Sequence, residues 1–385
     1  FRPSARAAGA EVQMTLLASE LARRGFRVGL VVYPIPARGT GLDPRITLVE
    51  RKEHAGSTGP VRTLLEAVRV MRALRGADGR VVVVRSGAPV VGLIGLYCRL
   101  WRRRLVFSSA NNLDFLERWS RRARTYAFGV RSADAVVVQS EEQEALARRR
   151  FPHVRRLVRI PSFAVEPRPV EPGPPGAFYW VGRLVDYKRP HLYAELAATI
   201  PEAPFVLIPL RRPDDAAGQA ALEQLGSVAV GVSNLELRDS VPHAALVEEL
   251  ASAVALVNTS SFEGMPNTFL EAWSQGVPVL TLSFDPDGVI RKRGLGVAAD
   301  GSWERFVEGA RQLWEGRFER EELAQRTRGY VRETHSVESV GARWQALLET
   351  VGGFRRSATP APRASSGAPP ASAGRTPFRM RRRRG

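Results

Sequence analysis

Residues 263–271 read Glu-Gly-Met-Pro-Asn-Thr-Phe-Leu-Glu and set two carboxylates eight positions apart, on either side of a Gly-Met-Pro-Asn turn. An apolar run at 253–260 precedes this stretch and predicts a strand, whereas 268–275 has the pattern of an apolar helix and 277–282 that of a second strand. Strand, turn, helix and strand in this order form a βαβ unit, and ligands bind at the carboxyl ends of its strands. The stretch therefore predicts a parallel α/β sheet with a ligand site at the turn.

The turn between the two glutamates has the chemistry of an anion site. Pro266 fits the first turn of a helix, where the N–H group that proline lacks has no partner in any case. We expect the free N–H groups of Asn267, Thr268 and Phe269 to face outward, available to an anion. The alternative is that both acids merely favour the positive end of a helix dipole.

This stretch resembles the motif of retaining nucleotide-sugar glycosyltransferases of the family 4 type, in which two glutamates are separated by seven residues. The resemblance implies that Glu263 lies near the transferred sugar and that Glu271 accepts hydrogen bonds from the ribose hydroxyls of the donor. A carboxylate suits a vicinal diol because its two oxygens accept from two hydroxyls. The donor-binding turn would consist of Gly264, Met265, Pro266, Asn267 and Thr268.

A second motif lies at 178–190, where a short apolar strand ends in Gly182-Arg183 and Lys188 follows five residues after the arginine. The same family resemblance implies that Arg183 and Lys188 hold the diphosphate of the donor, with Gly182 beside them. Charge grows on the diphosphate as the sugar departs, and cations stabilise it. The alternative is two surface cations after a strand. The sequence contains only three lysines, so Lys188 is the stronger signal.

The first residues offer a third match. Ala8-Gly9-Ala10 opens a predicted helix that runs to about residue 24, and it resembles the family's glycine-rich turn, with one glycine replaced by alanine. The resemblance implies that Gly9 and Ala10 lie on the acceptor or sugar side, whereas ordinary turn chemistry is the alternative. Because the chain begins at Phe1, we expect the strand that precedes this turn in the family to be missing.

Two further turns follow predicted strands. The strand at 105–109 leads into Asn111, Asn112 and Asp114, at a place where relatives often carry a histidine. These side chains are candidates for contacts with sugar or acceptor hydroxyls, although Asn and Asp also favour turns in general. The Asp-Pro-Asp-Gly sequence at 285–288 is first of all a tight turn, with a donor contact as the alternative.

The order of elements predicts two α/β halves. Strand-like runs alternate with helical patterns at 27–33, 81–85, 105–109, 135–139, 178–181, 205–208, 228–231, 253–260 and 277–282. A last helix is predicted at 337–351, and six prolines between 161 and 176 are typical of a linker. The predicted organisation is an N-terminal Rossmann-like acceptor-side domain (1–165), a Pro-rich linker (166–176), a C-terminal Rossmann-like nucleotide-sugar-binding domain (177–350) and a disordered basic tail (351–385). Two such domains facing a cleft form the GT-B fold that the resemblance implies.

Composition narrows the function classes. The single cysteine, Cys98, excludes an intramolecular disulfide and suits a reducing cytoplasm. The five histidines show no metal-ligand spacing, and we expect neither a metal nor a cofactor. The sequence has no run of 18 apolar residues of the kind that predicts a membrane-spanning helix.

The net charge of +18 requires a separate explanation, and residues 353–385 carry nine arginines and no acid. Nucleic acid is not expected as a partner, because no recognition motif or aromatic-basic interleaving is present. An anionic membrane surface is a candidate partner, since 90–104 and 118–131 combine apolar residues, tryptophan and arginine clusters. The alternatives are a core helix with cations at its C-terminal end for 90–104, and a solvated basic surface in general.

The sequence therefore predicts a retaining, metal-independent glycosyltransferase that moves a sugar from a nucleoside-diphosphate sugar to a saccharide or lipid-linked saccharide in polysaccharide or glycoconjugate synthesis. The expected location is cytoplasmic, with peripheral binding to the inner face of the plasma membrane as an extension. Two alternatives stay open: a nucleotide-sugar epimerase on the same fold, and a non-catalytic sugar-nucleotide-binding protein. An epimerase requires acid–base carboxylates and histidine in the cleft, which the sequence does not display.

Overall fold

The computed structural model describes residues 9–33, 42–51, 60–85, 88–116, 120–165, 176–210, 216–239 and 243–353. Nearly all of the predicted linker at 166–176 and of the predicted tail at 351–385 lies outside these residues. Within these ranges the chain forms three parallel sheets.

The first half alternates strands and helices around parallel sheets. A two-stranded parallel sheet pairs β1 with β2, and a four-stranded parallel sheet has the order β3-β4-β5-β6. The valine-rich strand at 135–138 is buried on both faces, as a parallel strand covered by helices requires. The elements are α1 Gly9–Arg23, β1 Gly29–Val32, β2 Thr47–Glu50, α2 Pro60–Ala77, β3 Val81–Val84, α3 Val90–Leu100, β4 Arg104–Ser108, α4 Arg121–Arg131, β5 Ala135–Val138, α5 Glu141–Arg150 and β6 Leu157–Arg159.

The second half is a six-stranded parallel sheet of order β12-β11-β10-β7-β8-β9. This order is the doubly wound arrangement of Rossmann domains, and helices cover both faces of the sheet. Its elements are β7 Phe178–Gly182, α6 Pro190–Thr199, β8 Phe205–Pro209, α7 Ala216–Ala229, β9 Leu235–Leu237, α8 His243–Leu250, β10 Ala255–Asn258, α9 Asn267–Ser274, β11 Val279–Thr281, α10 Val289–Arg293, β12 Gly296–Ala298, α11 Trp303–Trp314, α12 Arg320–Thr334 and α13 Val337–Gly352. The predicted α/β class, with two Rossmann-like halves, is confirmed.

The last helix, α13, returns to the first half of the chain. Its buried Trp344, Leu347 and Leu348 join Leu17 and Leu21 of α1 in one apolar cluster against the four-stranded sheet. The chain therefore passes between the two halves twice. The sequence pattern places a helix here but gives no indication of which sheet it covers, and the predicted range of 177–350 for the second domain assigned it to the other half.

Helices α3 and α4 cross at very short distance because glycines lie at the contact. A Cβ atom on Gly92 would overlap the Thr125 carbonyl, and one on Gly129 would overlap the Val91 carbonyl. The two helices therefore pack closely on each other, and both contribute to the apolar cluster on one face of the first sheet.

One strand prediction is wrong. Residues 228–231 were expected to form a strand, but α7 extends to Ala229 and the strand of this region is β9. The apolar residues Ala221, Leu222, Leu225 and Ala229 have helical spacing and pack on the core together. Three short strands, β2, β6 and β12, were not predicted from the sequence.

Candidate functional site

The motifs at 178–190 and 263–271 both lie where the strand order of the second sheet reverses. Strands β7 and β10 are neighbours, and successive strands diverge from them in opposite directions. The carboxyl ends of the strands at such a switch point form a crevice that binds ligands in open α/β sheets. Gly182-Arg183 follows β7 and Glu263 follows β10, so the fold brings the two distant motifs to one place.

Lys188 and Glu263 form an ion pair at this crevice. The Lys188 ammonium donates to Glu263 Oε1, and Ser260 Oγ donates to the same oxygen at 2.8 Å. The side chains are 16% and 11% exposed, so solvent screens the pair only partly. The structure therefore joins the cation predicted to bind phosphate to the carboxylate predicted to lie near the sugar.

An aromatic pair lies beneath this ion pair. The rings of Tyr187 and Phe262 stack with centroids 4.8 Å apart, and the Ser261 amide donates to the Tyr187 carbonyl at 2.8 Å. Arg183 makes a long contact of 3.4 Å from Nη2 to the Tyr187 hydroxyl. The loops after β7 and β10 are thus fixed to each other, and Arg183 is held beside them.

Sequence reasoning missed Arg189. Its Nε donates to the Thr259 carbonyl at 2.6 Å and its Nη2 to Ser283 Oγ at 2.7 Å, which ties the ends of β10 and β11 together. The residue has a φ of 48°, in the left-handed region that few non-glycine residues adopt. The sequence gives no signal for this conformation, because a residue before proline normally favours extended backbone.

Glu271 lies in the second turn of α9 and is only 5% exposed. A buried carboxylate is costly unless it has hydrogen-bond partners. Its neighbours Leu270, Ala272 and Trp273 are core residues of the second half. Helix α9 therefore carries a buried acid among core residues of the second half, whereas its predicted contact with the donor ribose stays a prediction.

The turn before α9 departs from expectation in two details. Pro266 is the N-cap of α9 and so precedes the first helical residue. The Phe269 amide donates to the Pro266 carbonyl at 3.1 Å, so the prediction that this N–H group faces an anion is wrong. The Pro266 carbonyl accepts this hydrogen bond and so closes a short first turn of the helix. Met265 packs against the core, and Gly182 lies against the Trp180 ring.

The start of α1 contacts this turn across the cleft. Asn267 Nδ2 donates to the Gly9 carbonyl at 3.1 Å, and Gln13 Nε2 donates to Asn267 Oδ1 at 3.2 Å. Gln13 is buried and also exchanges two hydrogen bonds with the main chain of Phe163. The predicted acceptor-side residues Gly9 and Ala10 therefore lie next to the predicted donor turn.

Gly264 is buried against the first half. A Cβ atom there would lie 2.9 Å from Gln143 Nε2 and 3.4 Å from the Ala110 carbonyl, so the close approach requires glycine. The loop it touches is ordered by its own side chains. Asn111 accepts from the Leu113 amide at 2.9 Å, and Asp114 accepts from the Ala110 amide at 2.7 Å.

These bonds satisfy the turn interpretation of the 111–114 loop, whereas the predicted sugar contacts of Asn111, Asn112 and Asp114 stay a prediction. Burial raises the pKa of Asp114, against the effect of its amide and hydroxyl donors. Burial also lowers the pKa of Arg85 to about 10, although the Asp114 charge opposes this shift. Arg85 Nη1 donates to Ser108 Oγ at 3.1 Å, so a cation lies directly beneath the loop.

A cavity of about 390 Å³ opens beside the same loop. Its wall is partly apolar, with Leu113, Tyr126 and Phe151, and partly polar, with Asp114 and Arg150. Mixed lining of this kind suits a ligand that has both apolar and hydroxyl surfaces.

The turn at 285–288 also spans the cleft. The Asp287 carboxylate accepts from the amides of Glu141 and Glu142, at 2.8 Å and 3.3 Å, at the N-terminus of α5. An acid at this end of a helix is favoured by the helix dipole. This contact joins the two halves, so Asp287 contributes to closing the cleft, a role that the sequence did not indicate.

The described residues contain no group of three or more His, Cys, Asp or Glu side chains placed to hold a metal ion. None of the helices in the described ranges is both long enough and apolar enough to span a bilayer.

Two family models match the sequence. Glycosyltransferase Family 4 matches residues 7–164, and Glycosyl transferases group 1 matches residues 176–316. Together they span most of the chain, and the chain belongs to this family of glycosyltransferases. A search of curated proteins gave no significant match.

Solved structures share the fold at low sequence identity. Sucrose-phosphate synthase from Thermosynechococcus elongatus has a TM-score of 0.74 at 17% identity, over 90% of this chain and 94% of that chain. HepE from Anabaena, in complex with UDP, has a TM-score of 0.69 at 13% identity over 91% and 98% of the two chains. WaaG, a glycosyltransferase involved in lipopolysaccharide biosynthesis, has a TM-score of 0.65 at 17% identity, over 90% of this chain and 97% of that chain. The predicted GT-B architecture is therefore confirmed.

Proposed function

We propose that this glycosyltransferase is a retaining enzyme that transfers a sugar from a nucleoside-diphosphate sugar to a saccharide or lipid-linked saccharide. The observation that carries the proposal is the cluster of Lys188, Glu263 and Ser260 at the switch point of the second sheet. A cation there suits a diphosphate, and a carboxylate beside it suits the positive charge that develops on the sugar ring.

The proposed reaction needs no protein nucleophile. The bond from the anomeric carbon to the diphosphate breaks, the acceptor oxygen bonds to the same face of that carbon, and the acceptor proton passes to the departing phosphate oxygen. Arg183 and Lys188 stabilise the diphosphate, and Glu271 accepts from the ribose hydroxyls. When the donor binds, the Lys188 ammonium must leave the Glu263 carboxylate and contact the phosphate instead. The Glu263 carboxylate then faces the sugar. This scheme uses no cofactor and no metal.

The acceptor is proposed to enter from the first half. The cavity beside the 111–114 loop and the contacts of Gly9 at the donor turn support this arrangement. Among the similar structures, HepE is in complex with UDP-glucose and WaaG is involved in lipopolysaccharide biosynthesis. These relatives support a nucleotide-sugar donor and a saccharide or glycolipid acceptor, and hence a role in polysaccharide or glycoconjugate synthesis.

The α3–α4 pair supports peripheral binding to the anionic inner face of the plasma membrane. Leu100 (61%), Phe128 (38%) and Trp101 (37%) are exposed on or directly after these two helices, and so are the arginines 99, 102, 124 and 131. Trp and Arg together suit a headgroup layer. The buried face of α3 is core, as the alternative predicted, so the proposal concerns only its exposed end. Loss of binding to phosphatidylglycerol vesicles in Phe128→Ser would support it, and unchanged binding would refute it.

Donor hydrolysis tests the function. The chain is incubated with UDP-glucose, UDP-galactose, UDP-N-acetylglucosamine, GDP-mannose and ADP-glucose, with and without excess EDTA. The proposal expects nucleoside diphosphate to be released from one donor at an unchanged rate in EDTA. Loss of activity in EDTA that manganese restores would refute metal independence. A changed sugar without release would indicate an epimerase, and binding without turnover a non-catalytic protein.

A further inference from the structure

The first turn of α5 carries an amide whose hydrogen-bond donor has no partner among the described residues. Gln143 is 0% exposed, and its Oε1 accepts from the Gln139 amide at 2.9 Å. This bond fixes which end of the amide is oxygen and which is nitrogen. The other end, Nε2, is buried and without a partner in the described structure. It faces Gly264 across the cleft, since a Cβ there would lie 2.9 Å away.

A second side-chain amide in the same network has an acceptor oxygen to which no group in the described structure donates. Gln139 is 7% exposed, and its Nε2 donates to the Ser109 carbonyl at 3.0 Å. Its Oε1 is buried and has no partner within the described ranges. Buried polar groups are nearly always hydrogen-bonded, and one left without a partner destabilises the fold. Gln143 thus presents an unused donor at the cleft, and Gln139, whose main-chain amide is bonded to Gln143, carries an unused acceptor.

We propose that Gln143 and Gln139 form a recognition site for a sugar hydroxyl on the first-half side of the reaction centre. A hydroxyl both donates and accepts, so it satisfies the Nε2 donor of Gln143 and the Oε1 acceptor of Gln139. The hydroxyl belongs either to the transferred sugar or to the acceptor saccharide. The inference rests on the proposed function, and it adds two specificity-determining residues to it.

The position of Gln143 explains why the site needs both halves of the chain. The amide lies on α5, whereas Gly264 is the first residue of the donor turn, directly after Glu263, and the two meet at the cleft. A ligand hydroxyl reaches Nε2 when the Gly264 turn moves away from it. A neutral amide pair selects a hydroxyl over a phosphate, because a phosphate favours cations and charged donors.

Two variants of Gln143 separate recognition from folding. Gln143→Glu keeps the oxygen that accepts from the Gln139 amide and replaces only the unused donor, whereas Gln143→Leu removes both groups. The matched control is Gln275→Leu. Gln275 is also buried, with an Nε2 that lacks a partner in the described chain, but it lies at the opposite end of α9 from the cleft.

The measurements are kcat and KM with the donor that the wild type hydrolyses, the Kd of its nucleoside diphosphate, and the melting temperature. Both Gln143 variants are expected to lose about 10- to 100-fold in kcat/KM for the substrate that carries the hydroxyl, either the donor or the acceptor, because a site built for a hydroxyl loses its hydrogen bond. Nucleoside diphosphate affinity is expected to stay within twofold of wild type, and Gln275→Leu is expected to keep wild-type kcat/KM.

Measurements with and without acceptor identify the molecule that carries the hydroxyl. Slower donor hydrolysis without acceptor assigns it to the transferred sugar, whereas normal hydrolysis with a raised acceptor KM assigns it to the acceptor. Wild-type kinetics in both variants, with or without a lower melting temperature, would overturn the inference and leave the proposed function intact. Absence of wild-type turnover with every donor would overturn both.

Discussion

Replacing Glu263 by glutamine separates its structural role from its chemical one. In the wild-type protein Ser260 Oγ lies 2.8 Å from Glu263 Oε1. Glutamine keeps the shape of the side chain and an oxygen that accepts from Ser260, but it removes the negative charge that pairs with Lys188. A hydrogen bond to a charged group contributes about 1.5–3 kcal/mol to stability. We therefore expect Glu263→Gln to lower the unfolding free energy by up to this amount, or about 2–4 °C per kcal/mol in melting temperature.

The same substitution should affect binding and turnover in different ways. Lys188 no longer has to leave a carboxylate when a diphosphate binds, so donor affinity should stay within a few-fold of wild type or increase. The missing negative charge should lower kcat by about 100-fold or more, which corresponds to roughly 2.7 kcal/mol in the barrier. Calorimetry with the donor and steady-state kinetics measure the two effects on one preparation.

The matched control is Glu304→Gln. Glu304 also accepts from a serine, Ser302 Oγ at 2.8 Å, but it is exposed on α11 and outside the cleft. It should retain wild-type kcat. A Glu263→Gln protein that is less stable but turns over at the wild-type rate would refute the reasoning, and the 263–271 stretch would then be a structural turn.

Four further outcomes are expected. Glu271→Ala should weaken donor binding by about 10- to 100-fold in calorimetry, with little change in kcat. Gly264→Ala should lower kcat/KM, because its Cβ would lie 2.9 Å from Gln143 Nε2 and hold the cleft apart. Deletion of 353–385 should leave the melting temperature nearly unchanged and reduce binding to anionic vesicles in a salt-dependent way. Burial lowers the pKa of His335 to about 4, from 6.5, so the unfolded state binds more protons between these values. Denaturant titrations should show stability falling as pH drops from 6.5 to 4, and His335→Gln should remove much of this dependence.

The sequence predicts the strands at the switch point of the second half well because their signals are local. A run such as Phe178–Gly182 is apolar throughout and ends in glycine, so both the strand and its end can be read directly. The Glu263 and Lys188 motifs each follow such a strand, and the carboxyl ends of neighbouring parallel strands meet at one edge. Their proximity therefore follows from the fold, whereas the ion pair between them does not, since the sequence predicts a ligand partner for each.

The remaining features depend on contacts between distant segments. Nothing near Gln143 in the sequence distinguishes it from an ordinary residue of a polar helix. Its importance comes from burial, from the bond to the Gln139 amide and from the approach of Gly264, which belongs to the other half. Asp287 is a similar case, because its turn sequence predicts a local role and its carboxylate instead caps α5. The 228–231 error has another origin, since apolar β-branched residues at a helix end imitate a strand.

The return of α13 to the first sheet has a mechanical consequence. The two segments that cross between the halves lie side by side: the Ala164 amide donates to the His335 carbonyl at 2.9 Å, and His335 Nδ1 donates to the Ser162 carbonyl at 2.8 Å. Two crossing segments that are hydrogen-bonded to each other at one point allow the two halves to rotate there, but they resist sliding or twisting of one half against the other. Any opening of the cleft would then be a rotation about Ser162 and His335, and the gap between Gly264 and Gln143 would widen along a single arc.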